Sequence, residues 1–226
     1  MQITFLGHAS LMIAVGGKTL LIDPFISGNT KASGKIDIDR LDPDYILVTH
    51  AHQDHTLDVA QIAKKSGAKI VSNYEIATYY GNMDLEVHPM NHGGSWSFDF
   101  GNLKYVNAIH TSSFADGTYG GQPGGFLLEA GGKKIYIAGD TALTMDMKLI
   151  PLTMKLDLAI LPIGDNFTMG IGDAVQAADF VECNVVLGYH YDTFGYIEID
   201  HDMAKQKFEE AGKKLHLLEI GASMDV

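Results

Sequence analysis

The sequence predicts an α/β protein made of two similar β-rich halves, each with helices, packed sheet against sheet. Three observations carry that expectation. Short apolar runs bounded by Gly, Pro and Asp recur along the whole chain. A set of elements from the first half recurs in the same order about 115 residues on. The 226 residues, 46% of them hydrophobic, suffice for one core-burying domain. The expectation is therefore a single domain over 1–226, with half-repeats of about 1–115 and 116–226.

The elements follow in order. Residues 3–6, 11–15 and 19–22 read as strands, with Gly16-Gly17 turning the hairpin between the last two. Residues 45–48 form an unbroken apolar run, as expected of a strand buried on both faces. Residues 57–66 read as a helix stopped by Gly67, and 69–71 as the next strand. The second half repeats this plan. Gly131-Gly132 matches Gly16-Gly17, Ile137 matches Ile22, Asp173 matches Asp58 and Val185-Val186 matches Ile70-Val71, each 115 residues on. The buried run after Asp44 matches that after Asp157 at an offset of 113. Paired halves of this kind tend to form sites where they meet.

Composition removes several classes. One cysteine, Cys183, excludes an internal disulfide and a cysteine-based zinc site. A formal charge of −12 argues against gripping a nucleic-acid backbone. No stretch approaches the roughly 20 apolar residues of a membrane span. The N-terminus has no early Lys or Arg, so the expectation is a soluble cytoplasmic protein. Nothing in the composition indicates a homo-oligomer. Ten histidines beside one cysteine is the unusual count, since histidine is the commonest metal ligand.

Those histidines concentrate after the buried strand, in Thr49-His50-Ala51-His52-Gln53-Asp54-His55. Alternation lets His50 and His52 point to one place, and the turn that follows brings Asp54 and His55 to a neighbouring point. Such an arrangement suits two adjacent cations. Nitrogen and oxygen ligands without thiolate suit zinc, manganese or iron.

The run resembles the H-x-H-x-D-H signature of the metallo-β-lactamase superfamily, and the downstream order fits as well. His110 follows a strand over 104–109, Asp140 follows the strand before it, and His190 ends Leu187-Gly-Tyr-His190. Phe5-Leu-Gly-His8-Ala-Ser10, Leu21-Ile-Asp-Pro-Phe25 and the segment 164–170 resemble a narrower branch of metal-dependent hydrolases. That branch is related to ascorbate-6-phosphate lactonase-like and N-acyl-phosphatidylethanolamine phospholipase D-like proteins. The resemblance implies the metallo-β-lactamase fold, a four-layer αβ/βα sandwich. It also implies two divalent metal ions: zinc first, with Mn2+ or Fe2+ as alternatives. His50, His52 and His110 would hold one ion, Asp54, His55 and His190 the other, and Asp140 would bridge them. The implied activity is a hydrolase that directs a dinuclear metal-bound hydroxide at a small ester-type substrate, a lactone or a phosphoester. Asp54 is either a proton shuttle as well or a ligand only.

Weaker candidates surround this set. Asp23 either orients a ligand histidine or is a turn residue before Pro24. His8 either lines the pocket or is a satisfied structural histidine. Tyr191 is a candidate hydrogen-bond donor to an oxyanion. The glycine-rich segment 120–125 is a candidate cover for the site. Trp96 is expected in the core or the pocket wall. His88, His92, His201 and His216 have no place in the pattern.

Length and charge narrow the class. The chain has no room for the inserted domains of RNA-processing relatives, nor for a C-terminal helical domain after position 190. A small-molecule substrate is expected, with no nucleic acid. Two divalent metals and one hydroxide would bring the charge to about −9, so an anionic substrate is not excluded by charge alone. Two alternatives stand beside the hydrolase. One is an iron-dependent oxidoreductase of the same fold, whose diiron versions carry a carboxylate where His52 stands. The other is a non-catalytic metal-binding protein.

Overall fold

The structure is a computed structural model and describes all residues, Met1–Val226. Fourteen strands form two mixed sheets of seven. The first sheet begins with the meander β1 (Gln2–Gly7), β2 (Ser10–Val15) and β3 (Lys18–Ile22). It continues through parallel β4 (Tyr45–Leu47), β5 (Lys69–Asn73) and β6 (Val87–Met90). The second sheet begins with the meander β7 (Ser95–Phe98), β8 (Gly101–Asn107), β9 (Gly124–Ala130) and β10 (Lys133–Ile137). Parallel β11 (Leu158–Pro162), β12 (Val185–Tyr189) and β13 (Lys214–His216) complete it.

The repeat read from the sequence is visible in the sheet orders. The second sheet runs β7-β8-β9-β10-β11-β12-β13 and the first runs β14-β1-β2-β3-β4-β5-β6, with β14 at Ser223–Asp225. Three antiparallel pairings followed by three parallel ones occur in both. The division between sheets falls near residue 94 rather than at 115. The first sheet borrows its missing edge strand from the C-terminus, where Ile3 pairs with Met224.

Alternation explains the layers. The inward residues of both sheets, among them Ile3, Phe5, Ile13, Leu20, Phe126 and Ile137, form the central core. The outer face of the first sheet packs on α1 (Gln53–Thr56), α2 (Val59–Ser66) and α3 (Tyr74–Gly81). The outer face of the second packs on α4 (Ile171–Phe180) and α5 (His201–Glu210). The result is a four-layer αβ/βα sandwich. No helix is long and apolar enough to cross a membrane.

Several local expectations are corrected. The helix expected over 57–66 begins two residues later, at Val59, and a separate short helix, α1, precedes it. Asp58 lies between the two, and its buried carboxylate accepts hydrogen bonds from the Ile26 and Ser27 N–H groups. Trp96 is 56% exposed on the edge strand β7, its ring 5.0 Å from that of His88 on β6. The glycines at 120–125 are packed rather than free to cover anything. A Cβ on Gly120 would meet that of Ala51 at 2.2 Å, and one on Gly125 would meet the Ile137 carbonyl at 2.5 Å.

Candidate metal centre

Both sheets point the ends of their central strands at one spot, and the chemistry-bearing residues sit on those ends. His50, His52, Asp54 and His55 follow β4, with Asp54 and His55 on α1. His110 follows β8, Asp140 follows β10 and His190 follows β12. Three residues of this region hold left-handed backbone, His8 at φ 56, Asp23 at φ 42 and His190 at φ 56. Non-glycine residues rarely adopt it, and such strain gathers at functional sites. Each turns the chain sharply off a strand end. The His190 N–H donates to the His8 carbonyl at 2.8 Å, tying β12 of one sheet to β1 of the other.

The seven side chains of the motif converge. Asp140 Oδ2 is the centre, 2.9 Å from His190 Nε2, 3.3 Å from His55 Nε2, 3.7 Å from His110 Nε2 and 3.9 Å from His50 Nε2. Asp54 Oδ2 lies 3.6 Å from both His55 Nε2 and His190 Nε2. Two neighbouring groups follow, and within each the donor atoms lie inside 4.8 Å of one another. One is His50, His52 and His110. The other is Asp54, His55 and His190, with His8 beside them.

Hydrogen bonding behind the cluster fixes which nitrogen faces it. Asp23 is fully buried and accepts from the Thr49 N–H at 2.8 Å and the Thr49 hydroxyl at 2.6 Å. The Thr49 hydroxyl has spent its proton on Asp23, so His50 Nδ1–H must donate to it, at 3.0 Å. His55 Nδ1 likewise donates to Asp23 Oδ2 at 2.9 Å. Both rings therefore direct Nε2 to the centre, bare on the neutral His50, the arrangement of a metal-binding histidine backed by a carboxylate. His52 turns Nδ1 inwards, 3.1 Å from His50 Nε2, and its Nε2 reaches the Thr111 hydroxyl. Asp23 thus bonds His55 directly and reaches His50 through Thr49.

His8 is almost fully buried and does not line the cavity above the cluster. A carboxylate only accepts, so His8 Nε2–H donates to Asp54 Oδ2 at 2.8 Å, and Nδ1 lies 2.9 Å from the Thr193 hydroxyl. His8 thus bridges Thr193 and Asp54. Tyr191 lines a separate cavity with Phe5, Lys31, Lys35 and His201, not the cavity above the cluster. The open cavity above the cluster, about 840 Å³, is walled by Phe25, Phe167, Phe194 and Tyr196 as well as the ligand set. Sequence reasoning places the segment 164–170, which holds Phe167, at a strand end where it can shape the pocket, but gives no sign of Phe194 or Tyr196. Phe25 and Phe167 sit inside the segments singled out above, but nothing in their spacing marks them as neighbours.

The charges divide the cluster. Burial lowers His50, His52 and His110, so these three rings are neutral at pH 7. Burial also opposes charge on His55 and His190, but Asp140 and its neighbours outweigh it. They raise His55 well above the ordinary value and bring His190 to about 9. Burial would raise Asp54 and Asp140, yet the surrounding imidazoles hold both far below the carboxylate range. Burial and the facing His190 lower His8 to about 4.

The residues fit a metal. His55 Nε2, both nitrogens of His190 and Asp140 Oδ1 are buried without a hydrogen-bond partner. Each such atom costs about 1–3 kcal/mol. A cation that displaced the imidazole protons would ligate these atoms and offset that cost.

Comparison with known proteins agrees. Residues 2–190 match the model of the β-lactamase superfamily domain. The chain belongs to the β-lactamase superfamily. Over its full length and theirs it is 65% identical to a UPF0173 metal-dependent hydrolase of Christiangramia forsetii. A UPF0173 metal-dependent hydrolase of Thermus thermophilus is 46% identical over 97% of this chain and 96% of its own. Among solved structures, the metallo hydrolase Igni18 of Ignicoccus hospitalis superposes with a TM-score of 0.89 at 32% identity. It covers 99% of this chain and 97% of its own. The sandwich described above is thus the metallo-β-lactamase fold, and the chain is a metal-dependent hydrolase of that superfamily.

One substitution tests how tightly this superfamily scaffold holds the site. A Cβ on Gly164, after β11, would sit 2.2 Å from the His190 carbonyl oxygen. Gly164→Ala is expected to displace the His190 turn. Thermal unfolding should show a Tm lowered by several degrees, and zinc titration a weaker site.

Proposed function

We propose that this hydrolase cleaves a small ester-type substrate, a lactone or a phosphoester, using two divalent metal ions. His50, His52 and His110 would hold one, Asp54, His55 and His190 the other, and Asp140 would bridge them. Zinc is the first choice, with manganese or iron(II) as alternatives. The carrying observation is the set of buried, partnerless donor atoms around Asp140. Bound metals would supply Lewis acidity and a coordinated water whose pKa falls from about 15.7 towards 7.

The chain's own residues do the rest. Asp140 and Asp23 are buried, while Asp54 keeps a quarter of its side chain exposed and lines the cavity, so it is the carboxylate placed to take up a proton beside the scissile bond. His8 Nε2–H fixes the orientation of that carboxylate. Phe25 and Phe194 shelter the cluster from bulk water on one side.

The test is turnover of lactone and phosphoester panels by protein loaded with each metal in turn. Activity that disappears with a chelator and returns with metal supports the reading. A protein that takes up no divalent metal overturns it.

A pH dependence follows from the charges. His55 and His190 carry protons at pH 7 in the metal-free protein, whereas His50, His52 and His110 do not. Loading at pH 7 should therefore release about two protons. The first group should load with little pH dependence between pH 7 and 9, and the second more tightly as pH rises towards 9. Calorimetry in buffers of different ionisation enthalpy reads both effects.

A further inference from the structure

The cavity over the cluster contains no lysine or arginine. Its polar lining beyond the ligand set is Gln53 and Thr111, and its own carboxylates are Asp54 and Asp140. The nearby lysines, Lys31 and Lys35, line the separate cavity of Tyr191. A phosphate away from the scissile bond would find no counter-charge here, inside a protein of formal charge −12. Cationic charge in this cavity would be confined to the metal floor.

The walls are aromatic instead. Phe25 and Phe194 pack 6.2 Å apart and lean on His8, at 5.5 and 5.3 Å. Phe167 and Tyr196 form a second pair, edge to face at 6.3 Å and 78°, on two different loops. Neither ring of that second pair stacks on a further aromatic ring. Phe167 is 50% exposed at the tip of the turn after β11, and Tyr196 is 79% exposed in the 3-10 turn Gly195–Ile197 after β12. Large rings held out over a polar centre, with no aromatic partner beyond each other, suit a surface covered by a ligand. Small-molecule sites commonly combine such apolar walls with a few convergent polar groups.

Building on the hydrolase reading, we propose that the substrate is a neutral carboxylic ester or lactone with an apolar or aromatic portion. That portion rests on Phe167 and Tyr196, and the site discriminates against substrates bearing a phosphate away from the scissile bond. The reaction adds water across the acyl C–O bond, which breaks to give a carboxylic acid and an alcohol. For a lactone both ends stay in one hydroxy acid. No other reactant is needed. The two aromatic residues set specificity and take no part in the chemistry.

Two arms test this on the metal-loaded protein. In the first, binding of 4-phenyl-2-butanone, a neutral ketone that cannot be hydrolysed, is followed by ligand-observed NMR. Wild type should bind it, and the Phe167→Ala/Tyr196→Ala double variant should bind it about five-fold or more weakly. No binding to wild type, or equal binding to both, overturns the proposal. In the second arm, kcat/KM is compared for γ-butyrolactone, γ-nonalactone and a γ-lactone with a phosphate at the end of its side chain. The nonalactone should exceed butyrolactone about tenfold or more, as expected for five methylene-sized groups partly buried. It should exceed the phosphate-tipped lactone by a similar factor. Preference for the phosphate-tipped lactone overturns the proposal and leaves the hydrolase reading intact. If no ester of any kind is cleaved, the hydrolase reading fails, and the ketone binding alone decides whether the aromatic pair is a ligand surface. Unfolding curves for the double variant should match wild type, since both rings are largely exposed.

Discussion

Asp140→Ala is expected to lower hydrolysis by at least about 100-fold and to strip metal from the protein, because one carboxylate serves both halves of the cluster. Its Oδ2 lies within 3.9 Å of four imidazole nitrogens, more than any other carboxylate in the molecule. The variant should also change the metal-free protein. In wild type, Asp140 helps raise His190 from 6.5 to about 9. A raised folded-state pKa contributes stability that is fully present below pH 6.5 and is lost as pH rises through 9. Without Asp140 that contribution shrinks. Urea unfolding in chelator at pH 6 and pH 9.5 should show a wild-type gap that narrows in the variant. An unchanged gap would mean that Asp140 is not the counter-charge described here.

Asp23→Ala is expected to be the most destabilising change near the site, by about 3–5 kcal/mol. It would leave three donors behind it in a dry interior: the Thr49 N–H, the Thr49 hydroxyl and His55 Nδ1–H. It would also place alanine at φ 42, where short polar residues are better tolerated. For a chain of this length the Tm should fall on the order of 10 °C. Asp23→Asn should fall between, since one oxygen cannot replace two. The metal should be lost too, because His50 and His55 are both oriented through Asp23 and Thr49. Differential scanning calorimetry with and without zinc separates the two effects. A stable Asp23→Ala protein that still loads metal normally would contradict the role given to this carboxylate.

The sequence carried the site further than it carried the fold. The proposed ligand residues are polar groups at the ends of apolar runs, a pattern visible without the structure. The half-repeat is legible because hairpin glycines and buried strands recur at nearly the same offset, 115 and 113 residues. Other features lacked any local signal. β14 is three residues long and becomes a strand only because β1 offers it an open edge. The facing of Tyr191 is illegible in the sequence because alternation fails at His190. Tyr189 packs in the central core, His190 turns left-handed to the cluster, and Tyr191 then joins the outer layer. Its facing cannot be counted across such a turn. Trp96 defies its size because edge strand β7 leaves one face open. The aromatic walls come from loops after three different strands, β3, β11 and β12, and only the closed sandwich makes them neighbours.

The central claim is two metals shared through Asp140, and anomalous diffraction at the zinc edge tests it most directly. Crystals grown with zinc should give two peaks. One should lie about 2.0–2.2 Å from His50 Nε2, His52 Nδ1 and His110 Nε2. The other should lie at that distance from Asp54, His55 Nε2 and His190 Nε2, with an Asp140 oxygen reaching both. A single peak, or peaks held by any other residues, would contradict the account.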